Sequence, residues 1–227
     1  MTLERFMELT DTLLGENGCA WCKEQTHESM RQYILEESYE VVEAINNNDM
    51  DSLKEELGDL LSLVVFQAKT AEKAGKFSMS DVIDGIANKL VSRHSHVFGG
   101  DSAESAEDVV KVWEDNKAKE RKETPVESMK AVPKALPALV RAEKVISRSK
   151  MELPGSEEQL ERIEISLKNI CSGSNNVTLN EEYGKLLLEI TRLGAILDIN
   201  AEFSLTNAVE AFINTVSPDN SALGGSI

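Results

Sequence analysis

Cysteine and basic residues are scarce in this chain, and no long hydrophobic run is present. Three cysteines in 227 residues argue against a disulfide scaffold. Because 24 Lys and Arg face 40 Asp and Glu, for a formal net charge of −16, no large basic face can bind nucleic acid non-specifically. No stretch approaches the roughly 20 apolar residues that span a bilayer, and residues 1–6 lack a signal-peptide core. We therefore expect a cytoplasmic protein that binds neither nucleic acid nor membrane.

Runs with the alternation of a β-strand are few, and apolar residues recur at helical spacing almost throughout the chain. This pattern predicts an all-α fold. Thr26 is predicted to cap the second helix, and Ser80 or Asp81 the fourth. Residues 15–25 and 94–100 are predicted to be loops. Up to residue 150, the predicted helices are 2–14, 29–46, 51–74, 80–93, 105–122 and 138–150.

Prolines mark the predicted domain organisation. Thr124-Pro125, Val132-Pro133 and Leu136-Pro137 interrupt the chain after the fifth predicted helix. The predicted segments are a domain at 1–123, a linker with a helix at 124–150, a second helical domain at 151–216 and a flexible tail at 217–227.

Two acidic pairs lie within apolar helical patterns. Glu37 and Glu40 are three residues apart, as are Glu56 and Asp59, so each pair shares one helix face. The polar turn at 46–49 predicts an antiparallel hairpin, in which the four carboxylates converge and their repulsion requires a cation. Oxygen ligands without His or Cys favour Mg²⁺ or Mn²⁺ over zinc. The alternative is that these are ordinary solvated glutamates, and the pattern alone does not decide.

Cys19-Ala20-Trp21-Cys22 forms a C-x-x-C spacing. A redox motif would follow a strand in a βαβ unit, and a structural zinc site would need a second Cys/His pair with suitable spacing. No preceding strand is predicted, and His94 and His96 have a different spacing. The spacing is interpreted as incidental.

The chain also contains an internal repeat. A shift of 126 places residues 55–61 over 181–187 and keeps register without a gap as far as 76–78 over 202–204. Glu161 and Glu164 match the first acidic pair if the turn is two residues longer. However, Lys185 stands where Asp59 stood, and an ammonium group there would repel a divalent cation. The second copy is predicted to be metal-free.

Four segments, which follow one another along the chain in the order typical of the family, resemble the MazG-type nucleoside triphosphate pyrophosphohydrolases. These enzymes are relatives of the all-α dUTPases. The acidic run Glu36-Glu37-x-x-Glu40 followed by Glu56-x-x-Asp59 resembles their metal motif. Residues 18–26 resemble a Gly-Cys-Pro-Trp-Asp-Lys-Glu-Gln-Thr signature. Residues 89–98 with Trp113-x-x-x-Lys117 resemble nucleotide-contacting elements, and residues 136–142 a linker of two-domain members.

The resemblance implies tandem MazG-like helical repeats, each a four- to five-helix antiparallel arrangement, and the reaction NTP + H₂O → NMP + PPi. It implies Mg²⁺, with Mn²⁺ as an alternative, and a homodimer. The implied metal ligands are Glu37, Glu40, Glu56 and Asp59, and the implied catalytic residues are Glu36, Glu37 and Glu40, with Glu36 as a supporting residue or general base. The implied nucleotide- and phosphate-binding residues are Lys23, Lys89, Arg93, Trp113 and Lys117.

The chain departs from the family pattern in several places. Cys22 replaces the signature Asp and Ala20 the Pro. In the second repeat, Lys185 replaces the metal-binding Asp, and Thr215 and Asp219 stand where the repeat places Lys89 and Arg93. One working site per chain is therefore implied, with a structural second repeat. The alternatives are a helical scaffold that binds nucleotides without cleaving them, and a specialist for one nucleotide such as dUTP or dCTP. Trp113 could also be a core anchor and Lys117 a solvated lysine.

Overall fold

The computed structural model describes residues 1–121, 123–172 and 176–216. Its described residues form twelve helices joined by turns and loops, which confirms the all-α prediction. The chain divides into two compact units, Met1–Lys119 and Glu120–Ile227. Each unit is described separately below. In the described part of the chain, no helix combines the length and apolarity that a bilayer crossing requires.

The first unit contains two long helices that pack side by side, with shorter helices around them. The pair consists of α3 and α4, while α1 and α5 both contact α4. The remaining helices are short or highly charged. The bounds are α1 Leu3–Leu14, α2 Ala20–Glu24, α3 Arg31–Asn46, α4 Met50–Lys73, α5 Met79–Arg93, α6 Ser95–Phe98 and α7 Ala106–Arg121.

The core of the first unit lies around the middle of α4. Val65 and Ala68 are fully buried there and contact Met79 at the start of α5, and Phe6 of α1 packs against them. Lys69 of α4 forms an ion pair with Asp11 of α1 at 2.9 Å. These contacts hold α1 against α4 and fix the position of the preceding turns of α4, which carry the acidic residues.

Side chains that cap helix N-termini explain where several helices begin. Asp49 accepts hydrogen bonds from the N–H groups of Asp51 and Ser52 at the start of α4. Ser78 and Asp81 form a capping box at the start of α5. The predicted caps of α5, Ser80 or Asp81, were therefore placed two or three residues too late. Asp81 reaches back to the N-cap from inside the helix.

Two predicted loops and one predicted helix start were also wrong. The predicted loop 15–25 contains α2, and the predicted loop 94–100 contains α6; both helices are too short to show apolar periodicity. The second predicted helix begins at Arg31 with Met30 as its N-cap, because Thr26 closes a separate turn with Ser29 through reciprocal hydrogen bonds.

The second unit repeats the packed pair of long helices. Helices α10 and α11 lie side by side, as α3 and α4 do, and α9 contacts α8, α11 and α12. The segment 124–150 thus packs within this unit as two helices. The bounds are α8 Pro125–Lys130, α9 Ala138–Ser149, α10 Ser156–Ser172, α11 Asn176–Ile196 and α12 Ala201–Val216. The predicted flexible tail at 217–227 and Asp219 lie outside the described residues.

Candidate metal and nucleotide site

The α3–α4 hairpin supplies the acidic residues of the candidate site. After α3 ends at Asn46, Asn48 takes a positive φ of 54°, which an Asn tolerates. The N–H of Asp49 then donates to the carbonyl of Ala44 at 2.9 Å, which closes the turn. The two helices consequently run antiparallel, as the polar turn in the sequence predicted.

Three carboxylates meet between these helices. Glu37 of α3 and Glu56 and Asp59 of α4 each present one oxygen, and the three oxygens lie within 4.8 Å of one another. Glu37 and Glu56 are half-buried, whereas Asp59 is exposed. The hairpin therefore brings residues from both predicted acidic pairs together at one point.

The electrostatic state of the cluster reflects this crowding. Burial, followed by the charges of Glu40, Asp59 and Glu56, raises the pKa of Glu37 above its ordinary value. Burial, followed by the charge of Glu40 and a hydrogen bond with it, also raises the pKa of Glu56. Glu40 thus acts on both half-buried carboxyls although it is itself exposed. A local excess of negative charge remains without a cationic partner among these groups.

Two carboxylates of the cluster border a largely apolar cavity of about 380 Å³. Glu37 and Asp59 form its polar edge. Its other walls come from α1, α2, α3, α4 and the turn before α3, with side chains of Phe6, Leu9, Thr10, Leu13, Trp21, Cys22, Met30, Tyr33, Ser62, Leu63 and Phe66. An apolar cavity with polar groups at one edge is the usual form of a small-molecule site.

Sequence reasoning missed most of this wall. The apolar spacing of residues 2–14 predicted only a helix, because contact of those side chains with a ligand cavity leaves no separate signal in the sequence. Trp21 was one available clue, because it lies in the signature-like segment; in the structure its side chain is exposed. Its ring meets Tyr33 edge-on, with centroids 6.1 Å apart.

A second, more polar cavity of about 200 Å³ continues from the cluster toward the α3–α4 turn. Glu40 and Glu56 line it together with Glu43, Asn47 and Asp49. Glu40 therefore lies on the turn side of the cluster. Glu36, the neighbour of Glu37 on α3, is exposed.

Two of the predicted cationic residues, Arg93 and Lys117, lie against Trp113 of α7. The guanidinium carbon of Arg93 lies 5.3 Å from the ring centroid of Trp113, and Nζ of Lys117 lies 4.3 Å from it. Lys117 also forms an ion pair with Glu114 at 2.8 Å. Trp113 is half-buried and already contacts two cations, so a role in stacking on a base would require these side chains to rearrange.

The other two predicted cations, Lys23 and Lys89, lie on α2 and α5. Nζ of Lys23 donates to the carbonyl of Glu16 at 2.8 Å, which ties α2 to the preceding loop. Lys89 is exposed on α5, one turn before Arg93.

The second repeat has the opposite electrostatics at the matching positions. Nζ of Lys185 lies 2.6 Å from Glu182, which corresponds to Glu56, and this ion pair lowers the pKa of Glu182. Asn169 donates a further hydrogen bond to Glu182 at 3.3 Å. These contacts offset the carboxylate charge locally. No bound cation is therefore required at Glu182 to offset it, unlike at Glu56 of the first repeat.

The donor set of the first repeat fits a hard divalent cation. It consists of carboxylate oxygens within 4.8 Å of one another, half-buried at two of the three residues, and bordered by further acids. The fold and this site together define an all-helical protein with a carboxylate cluster at the edge of an apolar cavity.

Comparisons with known proteins agree with that description. Residues 25–98 match the MazG nucleotide pyrophosphohydrolase domain. A nucleoside triphosphate pyrophosphohydrolase/pyrophosphatase MazG from Thermotoga maritima is 36% identical over 92% of this chain and 82% of its own length. A nucleoside triphosphate pyrophosphohydrolase from Escherichia coli K12 is 39% identical over 87% of this chain and 78% of its own length.

A crystal structure of a MazG-related protein from Thermotoga maritima aligns with 51% of this chain and 98% of its own, with 27% identity and a TM-score of 0.44. The identity and coverage of the two full-length relatives establish the family. The chain belongs to the MazG family of nucleotide pyrophosphohydrolases.

Proposed function

We propose that this protein hydrolyses nucleoside triphosphates to the nucleoside monophosphate and pyrophosphate, in a reaction that depends on a divalent metal. The observation that carries the proposal is the Glu37, Glu56 and Asp59 cluster at the edge of an apolar cavity. Two relatives that cover most of the chain are named for this activity. A nucleotide has one part for each region of such a site. Its charged polyphosphate would lie at the carboxylates with bound metal, and the flat faces of its base would lie against the apolar wall.

In this proposal Glu37, Glu40, Glu56 and Asp59 hold Mg²⁺, or Mn²⁺ in its place. Bound divalent cations would neutralise phosphate charge and make a water molecule more acidic. The half-buried positions of Glu37 and Glu56 support this assignment because burial, followed by neighbouring negative charge, raises their pKa values, and a bound cation would offset both effects.

The catalytic roles fall to the acidic residues of α3. Glu37 would hold the metal at the edge of the apolar cavity, and Glu40 would hold it from the turn side of the cluster. Glu36 is exposed beside them, where its carboxylate accepts the proton of the attacking water or holds a ligand in place through a hydrogen bond. Glu36→Gln keeps the shape but removes the proton acceptor, so it tests this role separately from metal binding.

The apolar cavity would receive the base and sugar. The pair of Trp21 and Tyr33 offers aromatic surface for stacking, and the polar edge at Asp59 leads toward the phosphates. Lys23, Lys89, Arg93 and Lys117 are the proposed phosphate contacts. Trp113 holds Arg93 and Lys117 on one ring, so we assign it the role of positioning these two cations.

The second repeat is proposed to be structural, because Lys185 already neutralises Glu182 there. We also propose that the protein is a cytoplasmic homodimer. Exposed apolar side chains on α5, including Ile86, Leu90 and Val91, support an interface on the first unit. Light scattering coupled to size-exclusion chromatography distinguishes a dimer from a monomer of 25.0 kDa.

Product analysis tests the reaction class. Incubation of the purified chain with a common NTP and Mg²⁺, followed by ³¹P NMR, is expected to show the nucleoside monophosphate and pyrophosphate in equal amounts. A nucleoside diphosphate with inorganic phosphate would contradict the proposal because the cut would then lie between the β- and γ-phosphates.

A further inference from the structure

The two cysteines of the C-x-x-C segment lie one helical turn apart, and the second of them is at the wall of the apolar cavity. Cys19 is the residue that precedes α2, and Cys22 lies in its first turn. Both are half-buried free thiols, whereas Cys171 of the second unit is exposed. Cys22 lines the same cavity as Glu37 and Asp59.

The backbone on both sides of Cys19 is held in place. Its N–H donates to the carbonyl of Leu13 at 2.9 Å, and its own carbonyl accepts from the N–H of Lys23 at 3.1 Å. Gly18 brings the chain so close to α1 that a Cβ there would overlap the carbonyl oxygen of Leu13. A fixed backbone keeps the two sulfurs near each other and lowers the entropic cost of linking them.

The separation of the two residues suits a disulfide. Cα atoms three residues apart along a helix are separated by about 5 Å, given a rise of about 1.5 Å per residue on a radius of about 2.3 Å. Disulfides join Cα atoms about 4.4–6.8 Å apart. The bond can therefore form with a local adjustment of side chains and of the first turn of α2.

The pKa values of the two thiols shift in opposite directions. Although no side-chain hydrogen bond of ordinary geometry caps α2, the N–H of Cys22 lies near enough to lower the pKa of Cys19, and the Cys22 thiol adds to this effect. Burial, followed by a hydrogen bond with Cys19, raises the pKa of Cys22. Such a difference within a C-x-x-C pair gives one attacking and one resolving thiol.

We propose that Cys19 and Cys22 form a reversible disulfide in response to a peroxide, and that this bond reshapes the cavity wall and weakens nucleotide binding. This replaces the interpretation of the C-x-x-C spacing as incidental. The effect on binding rests on the proposed function, whereas disulfide formation does not.

The chemistry balances with hydrogen peroxide as the oxidant. The Cys19 thiolate attacks one peroxide oxygen, the O–O bond breaks, and the departing hydroxide takes up a proton to become water. The Cys22 sulfur then attacks the sulfur of the resulting sulfenic acid, the S–O bond breaks, and a second water leaves. The two thiols lose two electrons and two protons, which the peroxide accepts. A dithiol reductant reverses the bond by thiol–disulfide exchange.

The disulfide would change the cavity because it draws the Cys22 sulfur toward Cys19 and tightens the turn that carries Trp21. Trp21 also lines the cavity and contacts Tyr33. We expect KM for the nucleotide to rise about tenfold, a change comparable to losing one small contact in an apolar pocket. We expect kcat to change less, because the acidic residues lie on α3 and α4.

Thiol mapping tests bond formation on the full chain. After peroxide treatment and a quench, the remaining thiols are alkylated and peptides are mapped by mass spectrometry. We expect Cys19 and Cys22 to lose reactivity together in one linked peptide, Cys171 to stay alkylated, and dithiothreitol to restore the pair. Independent oxidation of Cys19 to sulfinic acid, or retention of both thiols while Cys171 oxidises, would overturn the proposal.

Kinetics on the same samples test the consequence. Cys19→Ser is expected to retain basal activity and lose the peroxide response, while Cys171→Ser keeps the response. A disulfide that forms without changing KM would overturn the effect on binding. Reduced wild-type protein that forms the disulfide on oxidation but shows no pyrophosphate release would instead refute the proposed function.

Discussion

Glu37 of α3 and Asp59 of α4 present carboxylate oxygens within 4.8 Å of each other, and both residues border the same apolar cavity. Glu56 completes a three-carboxylate cluster with them, and within the described residues no cation contributes to the pKa shifts of Glu37 and Glu56. The hairpin therefore concentrates negative charge beside the apolar cavity. The matching position in the second repeat is neutralised by the Lys185–Glu182 ion pair. This difference between the repeats leads to paired experiments.

The first prediction compares matched glutamates of the two repeats. Glu56→Gln removes a charge from the carboxylate cluster and is expected to lower kcat/KM for NTP hydrolysis by at least about 100-fold, since weaker perturbations of metal sites already cost about 10–100-fold. Glu182→Gln removes the corresponding charge from the ion-paired position and is expected to leave kcat/KM near the wild-type value. Equal losses in both variants would refute the assignment of one working site per chain.

The second prediction concerns the stability of the metal-free protein. The pKa of Glu37 is raised, so the folded chain binds this proton more tightly than the unfolded chain does. This group therefore opposes folding at pH 7, and its penalty disappears as the pH falls through the raised pKa toward the ordinary glutamate value of about 4.3. In EDTA at pH 7, Glu37→Gln is expected to have a higher melting temperature than wild type.

The control for this effect is Glu161→Gln, which alters the matching glutamate of the second repeat. Glu161 is exposed on α10, so its replacement is expected to leave the melting temperature nearly unchanged. The advantage of Glu37→Gln should shrink when both proteins are melted below the ordinary glutamate pKa. A Glu37→Gln protein that melts below wild type at pH 7 in EDTA would show that the charged Glu37 carboxylate does not oppose folding.

The third prediction concerns ligand-linked stability. A cation that binds only the folded protein stabilises it by about 2.7 kcal/mol at a free concentration of 100 Kd. Mg²⁺ is therefore expected to raise the melting temperature of wild type, and to do so much less for Asp59→Asn, which loses a ligand charge. Differential scanning fluorimetry across a Mg²⁺ series measures both curves. Identical Mg²⁺ responses of the two proteins would place the cation elsewhere.

The fourth prediction uses two glycines in different surroundings. A Cβ at Gly18 would overlap backbone carbonyl oxygens of α1, which cannot move without disturbing the helix. Gly18→Ala is expected to destabilise the protein by more than about 1 kcal/mol. Gly85 lies inside α5 with nothing within 4 Å of a Cβ, so Gly85→Ala is expected to stabilise it by about 0.5–1 kcal/mol. Thermal melts followed by circular dichroism compare them; equal effects would argue against the close approach at Gly18.

The helices and the acidic hairpin could be predicted from the sequence because their signals are local. Apolar periodicity located the long helices, and the spacing within each acidic pair with the polar turn between them predicted the convergence of α3 and α4. The short helices α2, α6 and α8 were missed because they span less than two turns.

The cavity could not be predicted, because its walls come from segments far apart in sequence. Phe6, Trp21 and Phe66 meet there only after α1 packs against α4 and α2 packs against α1. The contact of Arg93 with Trp113 is of the same kind. Helical spacing predicted that Trp113 and Lys117 share a face of α7, but it carried no information about which side chain of α5 reaches that face.

The most direct measurement is the rate of pyrophosphate release from the common NTPs and dNTPs, with Mg²⁺ and with EDTA, for wild type and Asp59→Asn. Wild type is expected to release pyrophosphate in Mg²⁺ and to stop in EDTA, while folded Asp59→Asn shows little release in either condition. Turnover at the wild-type rate in Asp59→Asn would contradict the central claim that the carboxylates of the α3–α4 hairpin form the catalytic metal site.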